Sequence, residues 1–394
     1  MLTGKVIVGV SGGIAAYKAV ELVRLLMKRG ADVHVAMTRG ASEFVTPLTF
    51  AALSRHPVEN NVWDLSEVGQ ISHVTLGHAA SLIVIAPGTA NTIARLAAGM
   101  ADDALTALVL SSTCPVLLAP AMESNMWRAP QTQRNLKTLV ETGRYTIVGP
   151  ESGDLASGAT GVGRMSEPAQ IAWHAERLLT PQDLKGKSIV VTAGPTREAL
   201  DPVRYISNRS SGKMGFAIAE RAAFRGAKVT LVHGPVSLDV PHGVQALPIT
   251  SAEDMLASLR VLKCDVLIMA AAVADYRAAK PAKKKLKKKD LGSNPSLALT
   301  ENPDVIASIA KLKRKTLLVG FAAETHDVEE NARKKLAKKG LDLIVANDVS
   351  AAGIGMDSDD NRITVYDETG VVLQTEVETK AAIAEQLLTL IASR

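Results

Sequence analysis

Apolar positions along the chain fall into short uninterrupted runs separated by longer stretches of helical spacing. Lys5–Val10 is one such run. It is followed by the small residues Ser11-Gly12-Gly13, a periodic stretch from about Ile14 to Arg29 that reads as a helix, and a second strand at Asp32–Met37. Ser81–Ala86, Val116–Ala119 and Tyr145–Val148 are further strand candidates with helical stretches between them. Alternation of this kind predicts a mostly parallel sheet covered on both faces. Thr180–Lys187 is polar and turn-rich, and the pattern then restarts with Ser188–Ala193, a helix over Met214–Arg225 and a strand at Lys228–His233. Strands at Val266–Ala270, Leu317–Phe321 and Leu343–Ala346, a hairpin around Arg362–Gln374 and a helix from about Thr379 complete it. The fold class is therefore α/β, with two doubly wound, Rossmann-like, mostly parallel sheet domains at 1–179 and 188–394 and a linker at 180–187. Ligands are expected at the carboxyl ends of both sheets.

Composition narrows the picture. The chain has 394 residues, 47% of them hydrophobic, which suits full cores rather than disorder. No apolar run approaches the roughly 20 residues that span a bilayer, and Met1–Val10 leads into a strand rather than a signal-peptide core. A cytoplasmic protein without membrane partners is the expectation. Cys114 and Cys264 lie far apart in or beside apolar runs, so buried core fits them better than a disulfide or a zinc site. The net charge is only +5, but Lys280, Lys283, Lys284, Lys285, Lys287, Lys288 and Lys289 crowd one stretch. Such a run reads as a solvated segment or a nucleic-acid contact; it has no interleaved aromatic residue, and no nucleic-acid partner is expected. Asp357-Ser358-Asp359-Asp360-Asn361 lacks the spacing of a calcium loop and reads as a turn.

Candidate chemistry concentrates at strand exits. Asp201-Pro202-Val203-Arg204-Tyr205-Ile206-Ser207-Asn208-Arg209-Ser210-Ser211-Gly212-Lys213-Met214-Gly215 places hydroxyls, amides, a lysine and two glycines ahead of a helix, where free backbone N–H groups attract an anion. It is not a P-loop, because Ser207 and Met214 stand where glycine and a hydroxyl residue are required. The alternative is a Ser-Ser-Gly helix cap beside a solvated Lys213. In the first half, Gly9-Val10-Ser11-Gly12-Gly13-Ile14 and Ala86-Pro87-Gly88-Thr89-Ala90-Asn91 are two more small-residue exits, without the dinucleotide fingerprint.

Those two loops, together with Gly99-Met100-Ala101-Asp102-Asp103, Pro120-Ala121-Met122 ahead of Met126-Trp127, and Gly161-Val162-Gly163-Arg164-Met165, resemble the flavin-containing cysteine decarboxylase family. The segment Asp201–Gly215 resembles phosphopantothenate–cysteine ligase, and the two halves in this order resemble the bacterial bifunctional coenzyme A biosynthesis family over nearly the whole chain. The resemblance implies a flavodoxin-like flavoprotein domain followed by a ligase domain. It implies FMN held by Ser11, Gly12, Gly13, Thr38, Thr89 and Asn91, and a catalytic His73 within Ile71-Ser72-His73-Val74, suited to proton transfer near neutral pH. For the ligase it implies that 4′-phosphopantothenate is activated by CTP with Mg²⁺ as an acyl-cytidylate and then joined to cysteine. Asn208 would position that intermediate, Asp275 would bind nucleotide and metal, Phe321 and Asn347 would contact substrate, and Lys285 of Lys285-Leu286-Lys287-Lys288 would reach CTP from a flexible flap. Decarboxylation then yields 4′-phosphopantetheine. The resemblance also implies a homo-oligomer, trimeric or dodecameric through the decarboxylase with flavin sites at subunit boundaries, and dimeric through the ligase.

Two residues depart from the family pattern. Glu123 stands where the family has an asparagine for the substrate carboxylate, with Asn125 two positions on, and Ser157 stands where many members carry a proton-donating cysteine. A carboxylate repels a carboxylate unless protonated or turned away, and a hydroxyl is a far weaker acid than a thiol. An active ligase with a modified decarboxylase half stays open at this stage, as does, on the lysine run alone, a basic nucleic-acid-binding module.

Overall fold

The computed structural model describes every residue except 1, 3, 64–71, 288–294, 313–314, 325–327, 349–354 and 356. It divides into two compact units, Met1–Pro181 and Gln182–Arg394. Ile71, Lys288, Lys289 and Thr325 lie outside the described residues.

The first unit carries strands β1 (Lys5–Val10), β2 (Asp32–Met37), β3 (Val58–Glu59), β4 (Ala80–Gly88), β5 (Val116–Pro120) and β6 (Tyr145–Ile147) in one parallel sheet of order β3-β2-β1-β4-β5-β6. Strand residues alternate between two cores. Val6, Val8 and Val10 pack on one face with Val33, Val35 and Leu82, while Ile7 packs on the other with Ile83, Ile85 and Leu118. Both faces are dry, which is why the strands read as unbroken apolar runs, and each fully buried aliphatic side chain contributes about 1.5–3 kcal/mol relative to exposure. The helix Ala16–Lys28 turns Ala16, Ala19, Leu22, Val23 and Leu26 inward at three- and four-residue spacing. A hairpin of β7 (Glu151–Asp154) and β8 (Thr160–Arg164), absent from the sequence reading, precedes the last helix of the unit, Pro168–Leu179.

The second unit contains β9 (Ser188–Ala193), β10 (Arg197–Ala199), β11 (Tyr205–Ser207), β12 (Lys228–His233), β13 (Val244–Pro248), β14 (Val266–Met269), β15 (Tyr276–Ala278), β16 (Leu299–Glu301), β17 (Leu317–Glu324) and β18 (Leu343–Asp348). Its main sheet runs β13-β12-β9-β14-β17-β18 in parallel and ends in the antiparallel strands Ile363–Asp367 and Gly370–Gln374. β17 and β18 extend beyond the expected ends, because the ladder continues through Ala323–Asn347 and Glu324–Asp348. Phe321 is a strand residue, as expected, and Asn347, expected just past the strand end, is one as well. The helix Lys213–Phe224 lies hard against β9 at Gly215, where a Cβ would fall 2.6 Å from Ala193 Cβ and 2.9 Å from Thr192 O, so only glycine fits. Among the described residues, no helix is long and apolar enough to cross a membrane.

Strand order locates the sites. In the first sheet β2 and β3 lie on one side of β1 and β4, β5 and β6 on the other; in the second, β12 and β13 lie on one side of β9 and β14, β17 and β18 on the other. The crevice at each reversal, β1/β4 and β9/β14, is where a doubly wound sheet opens at its carboxyl end.

Candidate active sites

A cavity of about 950 Å³ sits at the first reversal. Four strand exits line it: Gly12 and Gly13 after β1, Thr38, Arg39 and Gly40 after β2, Thr89 and Asn91 after β4, and Ala121, Met122 and Glu123 after β5. Gly12 and Gly40 bring two of these loops into backbone contact, since a Cβ on Gly12 would lie 2.6 Å from Gly40 C and 2.8 Å from Gly40 O. The helix Ala16–Lys28 starts here with no side-chain cap and no acidic residue in its first turn, so its positive dipole end is open to an anion, while Ala16 N donates to Gly13 O at 2.9 Å and Lys18 N to Ala15 O at 3.0 Å. Thr89, by contrast, caps its own helix by accepting from Thr92 N.

Seven residues expected from the sequence reach the wall: Gly12, Gly13, Thr38, Thr89, Asn91, Glu123 and Ser157. Ser11 does not; it is buried behind the wall, where its Oγ donates to Pro87 O at 2.7 Å and accepts from Thr89 N at 3.1 Å, tying the β1 exit to the β4 exit. Glu123 turns its carboxylate onto its own backbone, accepting from Asn125 N at 2.6 Å as the cap of Ser124–Arg128. Asn125 is exposed and is not among the described lining residues. Ser157 lies at the exposed tip of the β7–β8 hairpin. The hairpin is seated by Gly163, whose amide plane approaches Met122 so closely that a Cβ would meet Met122 O at 2.0 Å.

His73 is also not among the described lining residues. It opens the helix Ser72–Ala79, whose carbonyl at His73 accepts from Ser111 Oγ at 3.1 Å. Sequence reasoning overlooked Gly40, Tyr17 and Arg95 on the wall. Arg95 donates to Asp103 Oδ2 at 2.6 Å and from Nε to Asp102 Oδ1 at 3.1 Å, and its guanidinium holds the Asp102 carboxyl below the usual range. Gly40 had a signal: Thr38-Arg39-Gly40 is a small-residue exit like the others.

The second cavity, about 770 Å³, opens at the β9/β14 reversal. The two strand exits are laced together: Ala272 N donates to Gly194 O at 2.9 Å and Ala274 N to Thr196 Oγ1 at 3.0 Å. Asn208 Nδ2 donates to Val273 O at 3.0 Å, and Asn302 Nδ2 to Ala274 O at 2.8 Å. Gly194 and Gly212 both take left-handed backbone, with φ of 73° and 79°, which lets the chain double back ahead of the helix Lys213–Phe224. Gly212 of Ser-Ser-Gly is the N-cap residue of that helix and its N donates to Ser210 Oγ at 3.4 Å, no side chain caps the first helical amides, and Gly212, Lys213, Met214 and Gly215 line the cavity.

Asn208, Asp275, Phe321 and Asn347 all line this cavity. Asn347 Oδ1 is buried without a hydrogen-bond partner among the described residues, an open acceptor on the wall. Lys285 is not among the described lining residues. Cationic charge comes instead from Lys213, Lys335, Lys338, Lys339 and Lys380. Lys335, Lys338 and Lys339 recur at three- and four-residue spacing on the helix Val328–Lys339, a pattern visible in the sequence but overshadowed by the longer lysine run. Lys213 is not simply solvated: its ammonium donates to Asp359 Oδ1 and Asp357 O, both at 2.7 Å, and holds the Asp359 carboxyl below its usual range. Of the segment expected as a turn, Asp360–Asn361 is a short strand paired with Glu378–Thr379, Asn361 lines the cavity, and Lys380 donates to Ser358 O.

Among the described residues, one group of ligand-type side chains is close enough to hold a metal ion, Asp32, His34 and His56. It lies at the start of β2, outside the lining of the first cavity, and the Lys5 ammonium already donates to His34 Nε2 at 2.9 Å and Asp32 Oδ2 at 3.2 Å.

Comparison with known proteins agrees with this two-part layout. The Flavoprotein family profile matches residues 2–178, and the profile described as the C-terminal domain of DNA/pantothenate metabolism flavoproteins matches residues 184–394. The coenzyme A biosynthesis bifunctional protein CoaBC of Vibrio parahaemolyticus is 48% identical over 98% of this chain and 96% of its own. That of Bacillus subtilis is 45% identical over 98% of this chain and 96% of its own. A solved C-terminal domain of a coenzyme A biosynthesis bifunctional protein CoaBC is 41% identical, covers 54% of this chain and 97% of that one, and superposes with a TM-score of 0.46.

Proposed function

The chain belongs to the bifunctional coenzyme A biosynthesis family, with phosphopantothenoylcysteine decarboxylase and phosphopantothenate–cysteine ligase activities, and on that premise we propose that its two cavities divide the work: FMN and decarboxylation in the first, CTP and ligation in the second. The observation that carries this reading is the matched pair of cavities at two sheet reversals, each entered by a helix whose first amides have no side-chain cap. Both accept a phosphate.

In the first cavity the Gly12–Gly40 contact and the open helix start fit a flavin phosphate, while Thr38, Thr89 and Asn91 supply polar contacts beside the apolar Tyr17, Met122 and Met126 for a ring system. FMN, when bound, supplies the two-electron oxidation of the thiol and its later reversal. The chain's own residues hold the ring and move protons. Ser157, at the tip of the hairpin and on the cavity wall, would donate the last proton, and the bond from Asn125 N would keep the Glu123 carboxylate from the substrate carboxylate. His73 reaches a flavin from a neighbouring copy of the chain, which accords with its position outside the wall and with a homo-oligomer.

In the second cavity the triphosphate meets Lys213, Lys335, Lys338, Lys339 and the helix amides, and the carboxylates of Asp275 and Glu301 offer the one or two oxygens Mg²⁺ takes beside a nucleotide. The substrate carboxylate attacks the α-phosphorus of CTP and releases pyrophosphate; the cysteine amine then displaces CMP and leaves an amide. Asn208, fixed by Val273 O, presents its carboxamide to that acyl-cytidylate. The test supplies 4′-phosphopantothenate, cysteine, CTP and Mg²⁺ and follows pyrophosphate, carbon dioxide and the final thiol. All three are expected in equal amounts. Pyrophosphate without carbon dioxide defeats the first-cavity assignment, and no pyrophosphate defeats the second.

A further inference from the structure

The wall of the first cavity carries the cationic side chains Lys18, Arg39, Arg95 and Arg164. All but one are already neutralised. Lys18 Nζ donates to both carboxylate oxygens of Glu167, at 3.0 and 3.2 Å. Arg164 Nη2 lies 3.0 Å from Glu167 Oε1 and 3.5 Å from Glu151 Oε2, and Arg95 is held by Asp102 and Asp103. Arg39 makes no ion pair among the described residues, although Glu43 stands four positions on in the same short helix, Arg39–Glu43. Of the other acidic residues on the wall, Glu123 is turned onto Asn125 N and Asp154 accepts from Thr160 Oγ1 at 2.9 Å. The backbone on either side of Arg39 is fixed: Thr38 N donates to Val10 O at 3.0 Å, and Gly40 packs against Gly12 too closely for a Cβ there. A rigid strand exit therefore carries an exposed, unpaired guanidinium on the cavity wall.

Water satisfies an arginine on an open surface, but here every other cation of the wall has a carboxylate and this one has none. We propose that Arg39 binds a phosphate monoester in the first cavity and gives that cavity its selectivity for a phosphorylated ligand. A planar guanidinium presents two parallel N–H donors to two phosphate oxygens, a fit that an ammonium lacks. The neighbouring β1 exit leads into the helix Ala16–Lys28, whose first turn holds no acidic residue, so its positive dipole end adds to the charge of Arg39. Both molecules assigned to this cavity, FMN and the phosphopantothenoyl substrate, carry such a phosphate. The proposal rests on the reading of that cavity as the flavin site.

Titration of the flavin-stripped full-length protein with FMN and, separately, with riboflavin isolates the phosphate. Arg39→Gln should weaken FMN binding about tenfold, the effect of losing one charge-assisted contact, and leave riboflavin within about twofold of wild type. Arg39→Lys keeps the charge but not the fork and should fall between. The FMN difference should shrink in high salt, because the side chain is exposed. A second arm compares KM for phosphopantothenoylcysteine and for its dephosphorylated form at saturating FMN. A rise of about tenfold confined to the phosphorylated substrate, with FMN affinity unchanged, assigns the contact to the substrate's phosphate instead of the flavin's. Wild-type values in both arms overturn the proposal. Equal weakening of FMN and riboflavin overturns it too, since that marks a damaged loop and not a phosphate contact. A wild type that binds neither flavin defeats the reading of the cavity, and inorganic phosphate then decides Arg39. Phosphate should raise the urea midpoint of the first unit, read through Trp63, Trp127 and Trp173, in wild type but not in Arg39→Gln; equal shifts overturn the proposal.

Discussion

Gly12→Ala is the sharpest perturbation of the first cavity, because its effect is steric and nothing else. Gly12 is not one of the glycines with positive φ, so alanine meets no backbone penalty there. Its Cβ, however, would stand 2.6 Å from Gly40 C, 2.8 Å from Gly40 O and 2.9 Å from Gly40 Cα. Carbon atoms in contact prefer about 3.5–4.0 Å, so the β1 and β2 exits must part by about 1 Å. Every atom in the way is backbone. Overpacking of this kind costs about 1–3 kcal/mol, which corresponds to roughly 5- to 150-fold in flavin affinity if the strain opposes the loop geometry that binds it. Gly13→Ala is the internal control: its Cβ would meet only Thr89 Cγ2, at 3.3 Å, a side-chain methyl that can give by a few tenths of an ångström. Visible absorbance per protein after purification, with titration of added FMN into the stripped protein, measures the outcome. Gly12→Ala should lose most of its flavin and its carbon dioxide release while still producing pyrophosphate from CTP, and Gly13→Ala should bind within about fivefold of wild type. Equal affinity in the two variants would refute the reasoning, since it would mean the Gly12–Gly40 contact does not shape the site.

Other predictions follow from the same geometry. Lys335→Gln and Lys338→Gln should each raise KM for CTP by about tenfold, the size of one charge-assisted contact to phosphate, with a smaller effect in high salt; an unchanged KM would remove that helix from the site. Ser157→Ala should leave carbon dioxide release in place and slow formation of the saturated thiol by about 10²-fold, within the range of general acid catalysis, while Ser157→Cys should not slow it. Burial, then the neighbouring His56 and Lys5, lowers the pKa of His34, while Asp32 opposes them. An unfolded histidine titrates near about 6.5, so the unfolded chain binds the proton first; stability should be full above that pH and fall as pH drops below it toward the folded value. All three tryptophans, Trp63, Trp127 and Trp173, lie in the first unit, so urea unfolding by tryptophan fluorescence reads it. The wild type should lose stability from pH 7.5 to 5, and His34→Gln should flatten that slope; parallel slopes would count against a neutral buried His34.

Much of the second site could be read from the chain because its parts are adjacent in sequence. Asp201–Gly215 supplies Asn208, Gly212 and the helix start in one stretch, and a strand followed by glycines and a helix can form only a few local shapes. Ser11 illustrates what adjacency cannot give. Its place beside Gly12 suggests a ligand contact, yet its hydroxyl bonds Pro87 O near the end of β4 and Thr89 N just beyond it, where it joins two strand exits, and Ser11 is not among the described lining residues. Asn125 shows the same limit on a helix, where two positions rotate a side chain by about half a turn. The lysine run is a different case. Its density drew attention to Lys285, while Lys335, Lys338 and Lys339, spread along one helix face, line the described cavity.

By itself the sequence determined what period and local chemistry control: two α/β halves, the restart after Thr180–Lys187, unbroken apolar strands buried on both faces, and small-residue exits that approach a phosphate. Those are short-range properties, set by the alternation of side chains across a strand and the spacing of side chains along a helix. Tertiary structure alone decided the order of strands, and with it which exits meet. The reversal beside β1 and β4, the lacing of Gly194 to Ala272, the helix-borne lysines and the backbone bonds of Leu286 to Asp201 and Arg204 join residues tens of positions apart. Contacts at such separations depend on how sheets and helices pack in three dimensions, and no window along the chain contains both partners.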